Sequence, residues 1–508
     1  MIRPSSKAPT SLHRPSVSTV LSGTLWVGFA RVVVRVLGLV STLILARLLT
    51  PADFGLVAVA AGVIAFLDAF TQLEFAQALI HYQDADDEDF ATAWTLNVLR
   101  GALLAIFTVA AAYPVSAVVG DDRLIALLLV IAFVPLFGGL ESPHFVQFEK
   151  RMRFDALFWL MTLTKVAGVA LAISMALAWQ TYWALIAGML ATTLARTALT
   201  FVMVPGRVWL TIRAWRKLMG FSGWLSGAQA LGAMANRLDP VFLGLFASAS
   251  VVGYLHMARE LTSNTFNEIA APLRRVLFPA LKRYELRSEA FVSAYSRALA
   301  GLFMVLAPAS AGLALTAPNA VPLLLGPQWG SVVLPLQCLA AALVFSIPGR
   351  LAQSSVMAVG RTKLIFVRNC IVLPVKLTLF MIGAATYGLM GAVAGAIAGM
   401  LVETLLNVDM SMRATGIRML MHVTIMGRSW GALTVMVLAV LVVTGLSAAP
   451  QTLAGHAGLL SVQVVVGGVA YTSAHLVLWL RAGQPDGPEA TVVGMFQQLT
   501  ARIRRQSA

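Results

Sequence analysis

The chain has 508 residues, 59% of them apolar and 12% charged, against about 45 to 50% and about 25% in an ordinary soluble domain. These proportions exclude a soluble multidomain protein, and a net charge of +15 on so apolar a chain points to a membrane partner rather than to nucleic acid. Cys338 and Cys370 both lie inside apolar runs, which offers neither a disulfide framework nor a thiolate metal site.

A bilayer core about 30 Å thick takes roughly 20 apolar residues per helix, and the apolar runs predict about fourteen spanning helices with boundaries good to a few residues. A tail over 1–23 carries Arg3, Lys7 and Arg14. The run that follows has no small-residue cleavage site, so it reads as a spanning helix and not as a signal peptide. Six spans follow the tail: 24–46, 56–80, 91–118, 124–147, 156–178 and 181–204. A basic linker over 205–219 separates them from 220–246, 251–280, 290–317, 332–358, 365–387 and 388–412. A terminal pair, 429–448 and 457–480 within a unit running from 413 to 480, precedes a basic tail over 481–508. Runs this long without alternation are helices, not barrel strands. The expected fold class is therefore an all-α integral membrane protein of two pseudo-symmetric six-helix lobes, 24–204 and 220–412, plus the terminal pair.

Placing the N-terminus inside puts 22 Lys and Arg on the inner connections and only Arg47 and Arg123 on the outer ones. That asymmetry predicts both termini in the cytoplasm. The acidic run Asp84, Asp86, Asp87, Glu88 and Asp89 reads as a solvated inner loop. Sliding the chain by 198 residues aligns Trp26 with Trp224, Gly55 with Gly253 and Ala60 with Ala258. The repeat lays the first two spans over the seventh and eighth, with parallel topology about an axis along the membrane normal.

Thr24, Gly28, Arg31, Arg35, Gly38 and Thr42 recur at steps of four and three, so they share one face of the first helix. An arginine near mid-bilayer costs on the order of 2.5 to 3.5 kcal/mol on insertion scales. Such a face should line a wet cavity or meet an anion. Its repeat equivalents Ser222, Ser226, Gln229, Ala233, Asn236 and Pro240 are small or polar, so the cationic stripe belongs to the first lobe. The eighth span carries a second polar face of His256, Arg259, Glu260, Ser263, Asn267 and Arg274. Arg100, Lys165, Arg237, Asp239, Arg350, Lys376 and Glu403 stand singly in apolar surroundings. Bases outnumber acids within the spans, which predicts an electropositive cavity for an anionic substrate.

Blander roles stay open beside these. Arg196, Arg297 and Arg368, near span ends, read as snorkelling to the interface, and Arg237 with Asp239 or Arg259 with Glu260 would serve equally as structural ion pairs. Asp68, Glu74, Asp239, Glu268 and Glu403 are the buried carboxylates available for proton or sodium coupling. The basic, apolar 492–505 segment fits an interfacial helix or a frayed tail.

The segment ILARLLTPADFGLVAVA at 44–60, within Ser22 to Ala60, and VVGYLHMARELT at 251–262 resemble the corresponding parts of Wzx-type polysaccharide flippases of the multidrug/oligosaccharidyl-lipid/polysaccharide exporter superfamily. Arg35-Val36-Leu37-Gly38 followed by Ala46-Arg47 is also similar in spacing to the first helix of lipid II flippases. There an arginine faces the central cavity, a role carried onto Arg35 and, less directly, Arg31. The resemblance implies a V-shaped two-lobe transporter that moves undecaprenyl-diphosphate-linked oligosaccharide from the cytoplasmic to the periplasmic leaflet of the bacterial inner membrane, with polymerase or export machinery as further partners. Arg31, Arg35, Arg100, Lys165, Arg237, Arg259 and Lys376 are the pyrophosphate contacts the resemblance implies, with Gln72, Gln229, Asn236, Tyr254 and Asn267 as its candidate sugar contacts.

Two other readings compete. A drug or cation antiporter of the same superfamily would want an anionic cavity. A membrane-embedded glycosyltransferase or ligase would want a large external segment, whereas the longest outer connection read here is Pro318 to Ser331. No HExxH, P-loop, GxSxG or metal-spaced His/Cys group is present, so neither a cofactor nor catalysis is expected.

Overall fold

The computed structural model describes residues 17–71, 75–82, 85–150, 153–219, 239–263, 266, 284–285, 288–358, 361–448, 450–490 and 493–494. Among them every regular element is helical, and the chain is a multi-pass membrane protein. Among the described residues ten helices are long and apolar enough to cross a bilayer, eleven when one bent pair is taken as a single span.

The first half contains α1 (Val17–Leu48), α2 (Pro51–Thr71), α3 (Phe75–His81) and α4 (Asp87–Val119). The turn from α1 to α2 is written in its own residues. Pro51 occupies the first helical position, and the Asp53 carboxylate accepts from the Thr50 amide at 2.9 Å and the Thr50 hydroxyl at 2.7 Å. Both features satisfy or remove donors that a helix start leaves unpaired. The acidic run is not a solvated loop. Asp86 caps α4 in a reciprocal box with Asp89, and buried Asp89 accepts from Lys217 at 2.6 Å, which pins the basic linker against α4. Asp84 lies outside the described residues.

The fourth span is broken. Where 124–147 was expected as one helix, α5 (Arg123–Ile131) and α6 (Phe133–Gly139) are followed, after a short 3-10 turn, by α7 (Val146–Lys150). The axes bend by 56° at the break. The bend falls at Glu141-Ser142-Pro143-His144, where Ser142 caps and Pro143 begins the turn, a break too short to lower the average over a whole span. The paired helices α8 (Phe154–Trp179) and α9 (Trp183–Met203) match the fifth and sixth spans, and α1 packs along α8.

In the second half, α10 (Asp239–Gly244) and a helix over 249–263, α11, represent the expected seventh and eighth spans. The rest of 220–246 and of 251–280 lies outside the described residues. Helix α12 (Glu289–Leu324) absorbs Pro308, Pro318 and Pro322. The connection expected over 318–331 is thus mostly helical, ending in a 3-10 turn over Pro327–Val332. After α13 (Val333–Ala358), α14 (Thr362–Thr415) is two helices merged across a reversal at Tyr387 and Gly388, where 365–387 was expected to meet 388–412. Gly388 has φ +57, a left-handed conformation that glycine adopts without penalty. The terminal pair is α15 (Met419–Leu446) and α16 (Leu453–Arg481), the former starting ten residues before the expected 429. Buried polar groups tie this pair to α12: Asn319 donates to Gln463 at 3.0 Å, and Gln463 donates to Thr444 at 2.9 Å.

The two halves meet at the end of the bundle opposite Val17 and Arg481. Here α2 crosses α11 so closely that no side chain fits between them. A Cβ on Gly55 would overlap the carbonyl oxygen of Ala249 and lie 2.8 Å from the Gly253 nitrogen; a Cβ on Gly253 would overlap the carbonyl oxygen of Pro51 and lie 3.1 Å from the Gly55 nitrogen. The contact is reciprocal, and the 198-residue repeat carries Pro51 onto Ala249 as well as Gly55 onto Gly253. Reciprocity of this kind marks a two-fold relation between contacting surfaces. Around the crossing, Trp329 donates to the Ala46 carbonyl at 2.7 Å and meets Phe54 edge-on at 5.3 Å. Arg47 caps the C-terminal carbonyls of α12, Leu323 and Leu324. One buried apolar cluster, including Leu49, Phe54, Leu243, Val252 and Trp329, runs through the seam, so this end is closed.

Candidate substrate cavity

Immediately inside the closed seam lies a cavity of about 300 Å³ between the halves. Small residues of α2 (Ala58, Ala61, Gly62 and Ala65) form one wall, and Asp239, His256, Arg259 and Glu260 the other. It shares Asp239, Arg259, Glu260 and Ser263 with a larger cavity of about 780 Å³ enclosed by α11, α13 and α14. The lining of the larger one follows helical spacing on each wall: Ser346, Arg350 and Gln353 on α13; Arg368, Val372, Lys376 and Phe380 on the first arm of α14; Met400, Glu403 and Asn407 on the second. The volumes are those of small-molecule sites, but the lining is far more polar than most such sites.

Among the described residues, four lining cations, Arg259, Arg350, Arg368 and Lys376, face three acids, Asp239, Glu260 and Glu403, so this part of the lining is ion-paired with a single excess positive charge. Arg259 pairs with Asp239, 20 residues away in sequence, and lies over the Phe380 ring at 5.5 Å. Glu403 accepts from both Arg368 and Lys376 at 3.1 Å. Arg368 does not snorkel: it is only 6% exposed, and its Nε and Nη2 have no partner among the described residues. Two unpaired donors on a buried guanidinium are costly, and they make Arg368 the most poised group in the cavity.

The other candidate residues distribute as follows. In the first half, Arg31 is exposed and Arg35 half-buried on α1. Lys165 comes from α8 to lie over Gly38, its ammonium 3.6 Å from where a Cβ would project. The glycine in the polar stripe therefore makes room for a third cation. Arg100 is ion-paired with Asp68. Tyr254 meets Trp329 edge-on at 6.3 Å in the seam and lines neither cavity. Arg237, Gln72, Gln229, Asn236, Asn267, Glu74 and Glu268 lie outside the described residues. Arg196, expected to snorkel, is 2.9 Å from Glu141. Arg350, Arg368, Gln353 and Asn407 were not proposed as site residues, although spacing would have revealed those on α13. On α13 the steps of four and three from Ser346 to Arg350 and Gln353 repeat the pattern of the first helix, whereas on α14 the apolar Val372 separates Arg368 from Lys376 and Asn407 lies on the other arm.

Comparison with known proteins agrees with the architecture. Residues 44–334 match the family described as "Polysaccharide biosynthesis protein". The chain is 24% identical over 394 residues, 76% of its length and 80% of the relative's, to the lipopolysaccharide biosynthesis protein WzxC of Escherichia coli. It is 24% identical over 290 residues, 56% of its length and 58% of the relative's, to the succinoglycan biosynthesis transport protein ExoT of Rhizobium meliloti. Among solved structures, the lipid II flippase MurJ in an inward closed conformation superposes with TM-score 0.71 at 13% identity, over 91% of this chain and 99% of that one. An inward-facing multidrug transporter of the MATE family and MOP superfamily gives TM-score 0.58 at 17% identity, over 77% of this chain and 98% of that one. Its neighbours in fold are flippases and transporters, not enzymes. The closed seam, the polar cavity beneath it and the matched span from Ile44 to Leu334 together place this chain in the polysaccharide biosynthesis protein family of membrane proteins.

Proposed function

We propose that the protein translocates a lipid-linked, diphosphate-headed oligosaccharide across the bacterial inner membrane, its two lobes rocking about the α2–α11 crossing so that the cavity opens to one side at a time. The observation that carries this reading is a charged cavity, bounded by both lobes, inside a bundle otherwise fit only for lipid. Relatives named for lipopolysaccharide biosynthesis and succinoglycan transport supply the substrate class. The positive-inside asymmetry puts both termini in the cytoplasm, so the closed seam faces the periplasm and loading is from the cytoplasmic side.

In this reading Arg31, Arg35 and Lys165 on the first lobe, with Arg259 and Lys376 on the second, attract the diphosphate, and guanidinium groups give it bidentate contacts. Asp239 and Glu403 hold the second-lobe cations in the empty state. A diphosphate displaces these carboxylates, and protonation of Glu403 would release Arg368 and Lys376 together, which is how a proton could be coupled to loading. Polymerase or export machinery would receive the product.

The test is the lipid fraction of a deletion strain. Accumulation of undecaprenyl-linked repeat units on the cytoplasmic leaflet, reversed by the wild-type gene, supports the reading. Loss of drug resistance with no such accumulation would replace it with the antiporter.

A further inference from the structure

A cavity of about 890 Å³ is a groove along α12, α15 and α16, remote from the substrate cavity. Its walls are Met304, Pro308, Gly312, Met436, Gly467 and Leu476, with little polar surface except at the end where the chain leaves α16. There Glu489, on the segment that folds back after Arg481, lies 3.1 Å from Arg428 and 3.2 Å from His475 Nε2. Glu489 and His475 both line the groove and are only 7% and 6% exposed. Glu489 Oε2 and His475 Nδ1 have no hydrogen-bond partner among the described residues, and Arg428 Nη1 meets Glu489 Oε1 as an ion pair without an aligned hydrogen bond.

The two buried groups ask for the same thing. In a neutral imidazole, Nε2–H donates to the Glu489 carboxylate, which leaves Nδ1 with a lone pair. Oε2 and Nδ1 are then both acceptors lacking a donor, beside a guanidinium that the carboxylate engages only as an ion pair. A ligand that answers both acceptors carries N–H donors, and an anionic oxygen next to them suits the Arg428 guanidinium, on an apolar body. We propose that this groove holds a resident phospholipid with a primary ammonium headgroup, of the phosphatidylethanolamine type. Its ammonium donates to Glu489 and His475, its phosphate accepts from Arg428, and its chains lie along α12 and α16. The depth suits a headgroup. At a rise of about 1.5 Å per residue, α15 and α16 are each over 40 Å long and exceed the hydrocarbon core by several residues at each end. His475 falls near that margin, and Arg428 lies about one turn deeper on α15. A phosphatidylglycerol head adds negative charge beside Glu489, a phosphatidylcholine head has no N–H to give, and a polyprenyl diphosphate brings only anions. The site is independent of the transport reading.

The experiment is native mass spectrometry of the full chain released from nanodiscs of equal phosphatidylethanolamine, phosphatidylcholine and phosphatidylglycerol. Wild type should retain the first over either other by about tenfold or more, the ratio expected for one charge-assisted hydrogen bond. Glu489→Gln and His475→Phe should each bring that preference close to parity, and His475→Phe keeps the ring volume should the carboxylate prove necessary for folding. Equal retention of the three lipids by wild type, an undiminished preference in both variants, or displacement of phosphatidylethanolamine by undecaprenyl phosphate would overturn the proposal.

Discussion

Gly55→Ala tests the crossing at the closed end. The added methyl would sit 2.7 Å from the Ala249 carbonyl carbon and overlap its oxygen, whereas carbon atoms pack at about 3.5 to 4.0 Å. The obstacle is backbone on both sides, which cannot rotate away, so α2 and α11 must part by roughly 0.8 Å or more. Overpacking a tight contact costs about 1 to 3 kcal/mol, and a conformational equilibrium shifted by that much changes its ratio about 5- to 150-fold. The open-seam state should gain by that factor. Gly253→Ala strikes Pro51 in the same way, so the double variant should be little worse than either single one, because contacting sites do not add. The assay is labelling of Ala61→Cys, on the inter-lobe cavity wall, by an impermeant maleimide applied from the periplasm, in a background lacking Cys338 and Cys370. Labelling should be slow with both glycines present and at least fivefold faster with either alanine. Unchanged labelling together with wild-type export in Gly55→Ala would refute the idea that this crossing closes the periplasmic side.

Arg35→Ala should abolish glycan export while expression and membrane insertion persist, read from surface polysaccharide and from immunoblots of membranes. Arg259→Ala strands the buried Asp239 carboxylate, at a cost of about 3 to 5 kcal/mol; Arg259→Ala with Asp239→Ala should melt higher than Arg259→Ala alone in a detergent thermal-unfolding assay. Glu403→Gln leaves Arg368 and Lys376 facing each other without a carboxylate and should lower the melting temperature more than Lys376→Met does. Asp89→Asn weakens both the α4 cap and the contact with Lys217, and faster limited proteolysis within 205–217 would register the freed linker.

Helix existence was readable because length and apolarity decide it: even the reversal at Tyr387 and Gly388 fell where one run was divided into two. Direction was not. The 56° bend between α6 and α7 falls at Glu141-Ser142-Pro143-His144, a short polar break that a span-length average over its apolar flanks hides. Ion pairs were the least readable feature. Arg259 beside Glu260 looks like a pair on paper, yet neighbours on a helix point about 100° apart, and the partner is Asp239 on another helix. Arg368 looked interfacial from its place near a span end. What keeps it buried is Glu403, which only the fold back at Gly388 delivers. Conversely, TPADFG was informative twice, as a cap through Thr50 and Asp53 and as a contact through Gly55, because both roles depend on residues a few positions apart.

The meeting of segments 51–55 and 249–253 also bears on origin. If a half-length ancestor paired with a copy of itself, one glycine would have served both sides of the junction, and any single replacement there would have been felt twice over. Fusion into one polypeptide uncouples the sides. Proline now stands opposite alanine at the first position of the junction, and the arginines of the first helix have uncharged counterparts in the second copy, so a duplicated frame can carry an unsymmetrical cargo path while glycine remains on both faces where the helices touch.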